Sequence, residues 1–457
     1  MNEALTQAER FPWLTGDSQH LLSWLHEHPA APRFNHHCGD RLTAAGLERI
    51  RQFELELNTA APGWLPGEIP AWLDEFTEAC FRDVPFYRRY GARPAGFMDV
   101  PGCSRADISR EPWSFVPDTI ALEDLIVYNT SGTTGQPLDI LSHPETSSKY
   151  LPLLRAALSS RGVKLDGGRD PRTGQPRVAI VLVCFQRRTF TYASVSAFLD
   201  GAGFAKINLN PADWRDPDDR VRFLDDCQPE IITGDPISFA ELARLPLRHQ
   251  PKALISTAMQ LLPGLRQRLE AHFGCPVLDL YAMNEAGPIA VGVPAGAPSG
   301  HALLQHRLYV EILDPDGRPC LPGQRGEIAL SGGFNPFIPL LRYRTGDYAS
   351  LRFTGSRPVL AELEGRPPVI FRGEAGQAIN NIDITGALRP FALPRWRLHQ
   401  AAGGALTLQL PAGTAERDHV LAALLNLFGP AQVIEVVEAE TLDDRGSKTV
   451  QYTREEA

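Results

Sequence analysis

The sequence predicts an α/β protein of more than one domain: parallel sheets, a β-rich subdomain and a small C-terminal α+β domain. Three observations carry that expectation. Continuous apolar runs such as Val178-Ala179-Ile180-Val181-Leu182-Val183 alternate with helical segments, as buried parallel strands do. Beyond Gly300 the pattern changes to short strands separated by turns. The chain of 457 residues also exceeds what one hydrophobic core usually organises.

In chain order, residues 1–65 mix helical patterning with proline-rich breaks and end at Pro62-Gly63-Trp64-Leu65-Pro66-Gly67, which reads as an N-terminal extension. Residues 72–90 read as one helix whose stripe of Trp72, Phe76 and Phe81 suits core packing. A helix is expected around 147–161, then a Gly/Pro/Arg-rich link at 166–177 leading into the Val178 run. Residues 205–209, 230–233 and 253–256 are further strands, each preceded by a helical segment, and 276–281 is a fourth. Past Gly300, 308–313 and 326–330 flank the turn Asp314-Pro315-Asp316-Gly317. From about 366 onward, strand-like runs surround a helix at 418–428.

Composition excludes several functions. A hydrophobic fraction of 43% with 22% charged residues suits a globular enzyme with large cores. A net charge of −9 and a pI near 5.8 argue against nucleic-acid or anionic-membrane partners, which need clustered positive charge. The seven cysteines are scattered without a C-x-x-C pair, which disfavours a disulfide framework and a zinc site. With no basic-then-apolar leader and no apolar run near about 18 residues, a cytoplasmic location is expected. His26, His28, His36, His37 and Cys38 match no metal spacing and read as surface residues.

The segment richest in chemistry is Tyr128-Asn129-Thr130-Ser131-Gly132-Thr133-Thr134-Gly135-Gln136-Pro137, which follows the apolar run Leu125-Ile126-Val127. Its glycines allow close backbone approach to an anion, and its hydroxyls supply donors without bulk, so it reads as a polyphosphate cradle rather than a plain turn. It is no P-loop: Gln136 stands where that motif requires lysine. The cation must come from elsewhere.

Four further segments occur in order with this loop: Val84-Pro85-Phe86-Tyr87, Tyr281-Ala282-Met283-Asn284-Glu285-Ala286-Gly287, Val310-Glu311-Ile312-Leu313-Asp314 and Pro339-Leu340-Leu341-Arg342-Tyr343-Arg344-Thr345-Gly346-Asp347, followed by Gly365-Arg366. Together they resemble the adenylate-forming (AMP-dependent synthetase/ligase) superfamily, and within it the phenylacetate-CoA ligase branch, over roughly residues 70–450. The resemblance implies the adenylate-forming fold, with a large ATP- and acid-binding domain at 66–365 and a small mobile C-terminal lid domain at 366–457.

It also implies roles. Thr130, Ser131, Gly132, Thr133, Thr134 and Gly135 would hold the β- and γ-phosphates of ATP, and Glu285 would ligate Mg²⁺; taken alone, that glutamate would be a solvated helix-start residue. Tyr281 would stack on adenine, Asp279 would accept from its amino group, and Asn284 keeps donor and acceptor capacity beside them. Asp347 would bind the ribose hydroxyls and Arg366 would help hold the ribose or the phosphates, although Thr-Gly-Asp in isolation is a turn. Lys448 would reach the carboxylate and α-phosphate, which makes Lys448, Thr133 and Glu285 the expected catalytic set. Phe185, Tyr192, Ala286, Gly287 and Pro288 would line the acid pocket, with Phe190 nearby; such aromatic, apolar walls suit an aryl or medium-sized apolar acid, the same residues could equally be core, and Arg187 and Arg188 would alternatively meet a polar acid or the phosphates of CoA.

Several positions depart from the family pattern. Leu138 replaces a lysine common after the loop proline, Ala282 and Asn284 stand where glycine and threonine or serine are commoner, and Ala258-Met259 replace a Gly-Glu pair. Pro367-Pro368 occupy the hinge region, where fixed φ stiffens the chain. The expected activity is ATP- and Mg²⁺-dependent adenylation of a carboxylic acid with transfer to CoA. An amine, alcohol or carrier-protein thiol as acceptor, or a non-catalytic binding protein of the same fold, stay open at this point.

Overall fold

The computed structural model describes residues 5–60, 63–129, 139–168, 170, 173–186, 188–258, 261, 263–294, 300–364, 369–388, 390–391, 396–414, 416–439 and 452–455. These fall into two compact units, one within Met1–Tyr128, Ile140–Phe185 and Phe190–Arg366, the other within Asn129–Asp139, Gln186–Thr189 and Pro367–Ala457.

The first unit is built on a long mixed sheet. At its centre Val178–Cys184, Ile231–Gly234, Ala253–Ser256 and Val277–Met283 run parallel, so their C-terminal ends share one edge. Ala202–Asn208 joins Val178–Cys184 in parallel, and Tyr192–Ser196 closes that side antiparallel. This last strand was not expected; its Tyr-Ala-Ser-Val-Ser sequence carries too little apolar character to read as one, and the strand at Ala202–Asn208 follows it directly instead of following a helix. On the other side Gly287–Gly292, His301–Leu303, Arg357–Glu364, Leu340–Thr354, Arg325–Gly332 and Leu308–Leu313 continue the sheet antiparallel.

Two apolar clusters cover the parallel strands. The segment read as an N-terminal extension contributes Leu22 and Leu25 to one and Leu47, Ile50 and Leu57 to the other, from helices Gly16–Glu27 and Ala44–Thr59. Thr15 and Thr43 start these helices by accepting from Ser18 and Gly46 amides. The helix expected across 72–90 divides into Trp72–Asp83 and Pro85–Arg88, because the residue before a proline avoids helical ψ and Val84 is extended (φ −104°, ψ 117°).

The second unit has its own core of Phe371, Trp396, Leu398, Leu408, Val420, Leu424 and Phe428. Its sheet runs Ile434–Ala439, Leu406–Pro411, Arg397–Gln400, Tyr452–Arg454, with helix Arg417–Phe428 against it.

Candidate active site

The strand Val277–Met283 sets the geometry. Its alternation sends Leu278 and Leu280 into the core and leaves Asp279, Tyr281 and Met283 on the opposite, half-buried face. Tyr281 and Asp279, expected at the end of a strand, therefore share one surface.

Asp347 comes to this surface through a local irregularity. Between the pairs Ala329↔Arg344 and Glu327↔Tyr348, the segment Thr345-Gly346-Asp347 lies opposite Ile328 alone, so it bulges out of strand Leu340–Thr354. Gly346 takes φ +78°, a conformation glycine adopts at no steric cost, and Thr345 Oγ1 ties the bulge down by donating to the Ile328 carbonyl at 3.0 Å. The Tyr281 hydroxyl then donates to Asp347 Oδ2 at 2.9 Å. Burial and the neighbouring Asp347 carboxylate hold the Tyr281 hydroxyl well above the usual phenol range, so it remains a donor.

Glu285 lies in the turn after the same strand and is 2% exposed, neither solvated nor at a helix start. Its Oε1 accepts from the Tyr343 hydroxyl at 2.5 Å and lies 3.7 Å from Arg105 Nη1. Both partners reach it for one reason. Cys103–Ser104 pairs in parallel with Tyr343–Arg344, and Ser104 opens helix Arg105–Arg110 through a capping box with Asp107, so Arg105 starts beside Tyr343. Upstream, the Tyr87 hydroxyl donates to the Pro339 carbonyl at 3.0 Å and accepts from the Leu341 amide at 2.9 Å, which anchors the start of the strand carrying Tyr343. Tyr343 and Arg105 had no assigned role in the sequence; the Ser104-x-x-Asp107 capping signal was the available clue for the latter.

Asp279 Oδ2 meets His301 Nε2 at 3.0 Å. Asn284 is exposed beside these groups. Ala286, Gly287 and Pro288 are buried where the backbone turns back: Gln305 Nε2 donates to the Ala286 and Pro288 carbonyls at 2.8 and 2.7 Å, and Gly287 (φ +65°) lies against the Phe334 ring. Phe185 and Tyr192 lie further along the sheet. Phe185 follows Val178–Cys184, two strands beyond the direct neighbour of Asp279's strand, which is about 15 Å at the usual strand spacing; Tyr192 is on the edge strand beyond that. Phe190 is 60% exposed, its ring centroid 5.1 Å from that of His36. The histidine cluster is not wholly superficial: His28 is buried between Phe223 and Asp226, whose Oδ2 is 3.1 Å from its Nε2.

Thr130, Ser131, Gly132, Thr133, Thr134, Gly135, Leu138, Met259, Arg366, Pro367, Pro368 and Lys448 lie outside the described residues. Among the described residues no group of three or more His, Cys, Asp or Glu side chains gathers for a metal ion. A cation held here would take one carboxylate, that of Glu285, with ligand oxygens completing its shell, which is how Mg²⁺ is commonly held beside phosphates.

The profile of the family described as AMP-binding enzyme matches residues 99–335, more than half of the chain. The chain belongs to this family. It is an adenylate-forming ligase, similar to the phenylacetate-CoA ligases. The phenylacetate-coenzyme A ligase of Pseudomonas putida is 25% identical over 358 residues, covering 73% of this chain and 75% of that protein. The protein of the same name from Escherichia coli K12 is 22% identical over 291 residues, 59% and 63% of the two. In fold, the chain is similar to a 2-hydroxyisobutyryl-CoA ligase crystallised with 2-HIB-AMP and CoA in the thioesterification state, with a TM-score of 0.53, 19% identity and 91% of each chain covered. Within this AMP-binding enzyme, the edge described above lies where α/β sheets bind ligands, at the carboxyl ends of the parallel strands.

Proposed function

We propose that this chain uses ATP to adenylate an aryl carboxylic acid and passes the acyl group to CoA. The observation that carries the reading is the Tyr281–Asp347 hydrogen bond, which joins two motifs 66 residues apart on one face of the sheet edge. An aromatic ring beside an acidic acceptor suits adenosine, whose base can stack and whose ribose hydroxyls can donate. In this reading Tyr281 stacks on the base, Asp279 accepts from its 6-amino group, and Asp347 accepts from ribose hydroxyls with Arg366 assisting. The loop Thr130–Gly135, Thr133 included, grips the β- and γ-phosphates, and Lys448 supplies the cation that the loop lacks.

A carboxylate oxygen of the acid attacks the α-phosphorus, and the bond to the bridging oxygen of the β-phosphate breaks to release pyrophosphate. The thiolate of CoA then attacks the acyl carbon, and AMP leaves with the bonding electrons. The protein's part is to position the groups and to meet the charge that develops. Glu285 would hold Mg²⁺, which neutralises phosphate charge when bound; its own carboxylate is oriented by Tyr343 and paired with Arg105. The aryl acid and the CoA acceptor draw support from the phenylacetate-coenzyme A ligases, with Ala286–Pro288 as one wall of the acid site.

The test is a panel of aryl and alkyl acids with ATP, with or without CoA, read by mass spectrometry of AMP and acyl-CoA and by hydroxylamine trapping of the adenylate. Equal amounts of AMP and aryl-CoA are expected. Hydroxamate without acyl-CoA would move the acceptor away from CoA; neither product from any acid would overturn the reading.

A further inference from the structure

His301 has no place in the roles assigned so far. It opens the short strand His301–Leu303 and lies opposite Gly292 in the register of the intervening strand Gly287–Gly292. Its ring reaches past Gly292 to Asp279, one strand further on. A Cβ at Gly292 would be 3.4 Å from Asp279 Cβ and 3.8 Å from His301 Nε2, so any side chain longer than a methyl group would enter the gap.

The pair is held away from bulk water, with His301 at 16% and Asp279 at 20% side-chain exposure. An ionised carboxylate only accepts, so we assign the proton to Nε2, which donates to Asp279 Oδ2 at 3.0 Å. Two acceptor positions remain. Asp279 Oδ1 has no hydrogen bond among the described residues, and His301 Nδ1 is buried without a partner among them. A bridge that served only to tie strands together would be redundant beside the ladder hydrogen bonds. One that leaves a carboxylate oxygen open, two residues from Tyr281, points to a ligand donor.

We propose that Asp279 and His301 form a purine-reading unit, in which His301 positions Asp279 so that its second oxygen accepts from the 6-amino group of adenine. This rests on the reading that adenosine binds along Asp279, Tyr281 and Asp347. A 6-oxo purine presents an acceptor to the same oxygen, which leaves both groups unpaired and costs affinity. Without His301 the carboxyl group is free to turn away, and the discrimination weakens. His301 is a positioning residue; it touches Asp279, not the reacting atoms.

The experiment compares ATP with ITP, which exchanges the 6-amino group for an oxygen, in acid-dependent AMP or IMP formation and in displacement of a fluorescent ATP analogue. The native protein should favour ATP at least tenfold in kcat/KM. His301→Phe should narrow the ATP/ITP ratio by roughly tenfold, mostly through KM for ATP, and the fluorescent displacement should narrow in step. His301→Gln, whose amide can still donate to Oδ2, should keep most of the preference. Asp279→Asn, which can donate to a 6-oxo group, should also narrow it. If Asp279→Asn changes the ratio and His301→Phe does not, the role of His301 is overturned while the adenosine site stands. If neither changes it, the adenosine site itself is misplaced. Should His301→Phe not fold, Gly292→Leu cuts the same bridge from the middle strand, and an unchanged ratio in that variant counts equally against the proposal.

Discussion

Replacing Tyr343 with phenylalanine removes one oxygen from a site with almost no solvent. Tyr343 is 0% and Glu285 2% exposed, and the bond between them is 2.5 Å long. Hydrogen bonds to charged groups contribute about 1.5–3 kcal/mol, and the carboxylate cannot recruit water in exchange. Breaking a buried ion pair outright costs about 3–5 kcal/mol, but here Arg105 stays 3.7 Å away and keeps the charge compensated. The expected loss is therefore about 2 kcal/mol. Urea unfolding of the native protein, Tyr343→Phe, Glu285→Gln and the double variant measures it, and the cycle should return a coupling of about 1–2 kcal/mol. A single-variant loss under about 0.5 kcal/mol, or strict additivity in the double variant, would refute the reasoning.

Other perturbations follow from the same structure. Gly287→Ala combines a left-handed backbone (φ +65°) with a Cβ 2.6 Å from Phe334 Cζ, so it should cost about 2–5 kcal/mol in thermal or urea unfolding. Ala258 also sits at φ +70°, where glycine is at home; Ala258→Gly should be neutral or stabilise by up to about 1 kcal/mol, and Ala258→Val should destabilise by at least that amount. Tyr87, Tyr281 and Tyr343 are held well above the usual phenol range, mainly by burial. Since the folded form binds these protons more tightly than the unfolded form, stability is complete below about pH 10 and falls above it, by about 4 kcal/mol per pH unit if all three titrate on unfolding. The phenolate absorbance of these three tyrosines should therefore appear together with loss of structure, not before it, as a step beyond the earlier titration of exposed tyrosines such as Tyr90 and Tyr348.

How far the site was legible can be traced residue by residue. The alternation that places Asp279 and Tyr281 on one face is a property of a single strand, and it was readable. The meeting of Tyr281 with Asp347 was not readable from spacing, because it depends on a bulge whose only local sign is Gly346 between Thr345 and Asp347. Glu285 alone reads as a solvated glutamate. Its burial depends on Tyr343, 58 residues later, and on Arg105, which is carried in by a two-residue strand too short to show a pattern. His301 gave no signal, since a histidine opening a three-residue strand gains meaning only once Gly292 and Asp279 are seen beside it. In the fold, the four central parallel strands were visible as apolar runs. The antiparallel edge Tyr192–Ser196 was not, because its side chains are mostly small or polar although its backbone is buried.

The central claim is that the edge bearing Asp279, Tyr281, Glu285 and Asp347 activates a carboxylic acid with ATP. Exchange of labelled pyrophosphate into ATP, measured across aryl and alkyl acids before any acceptor is added, tests it most directly. Exchange should require an acid, be fastest with an aryl acid and drop sharply in Asp347→Ala. Exchange that ignores the acid, or its absence with every acid while ATP still binds, would contradict it.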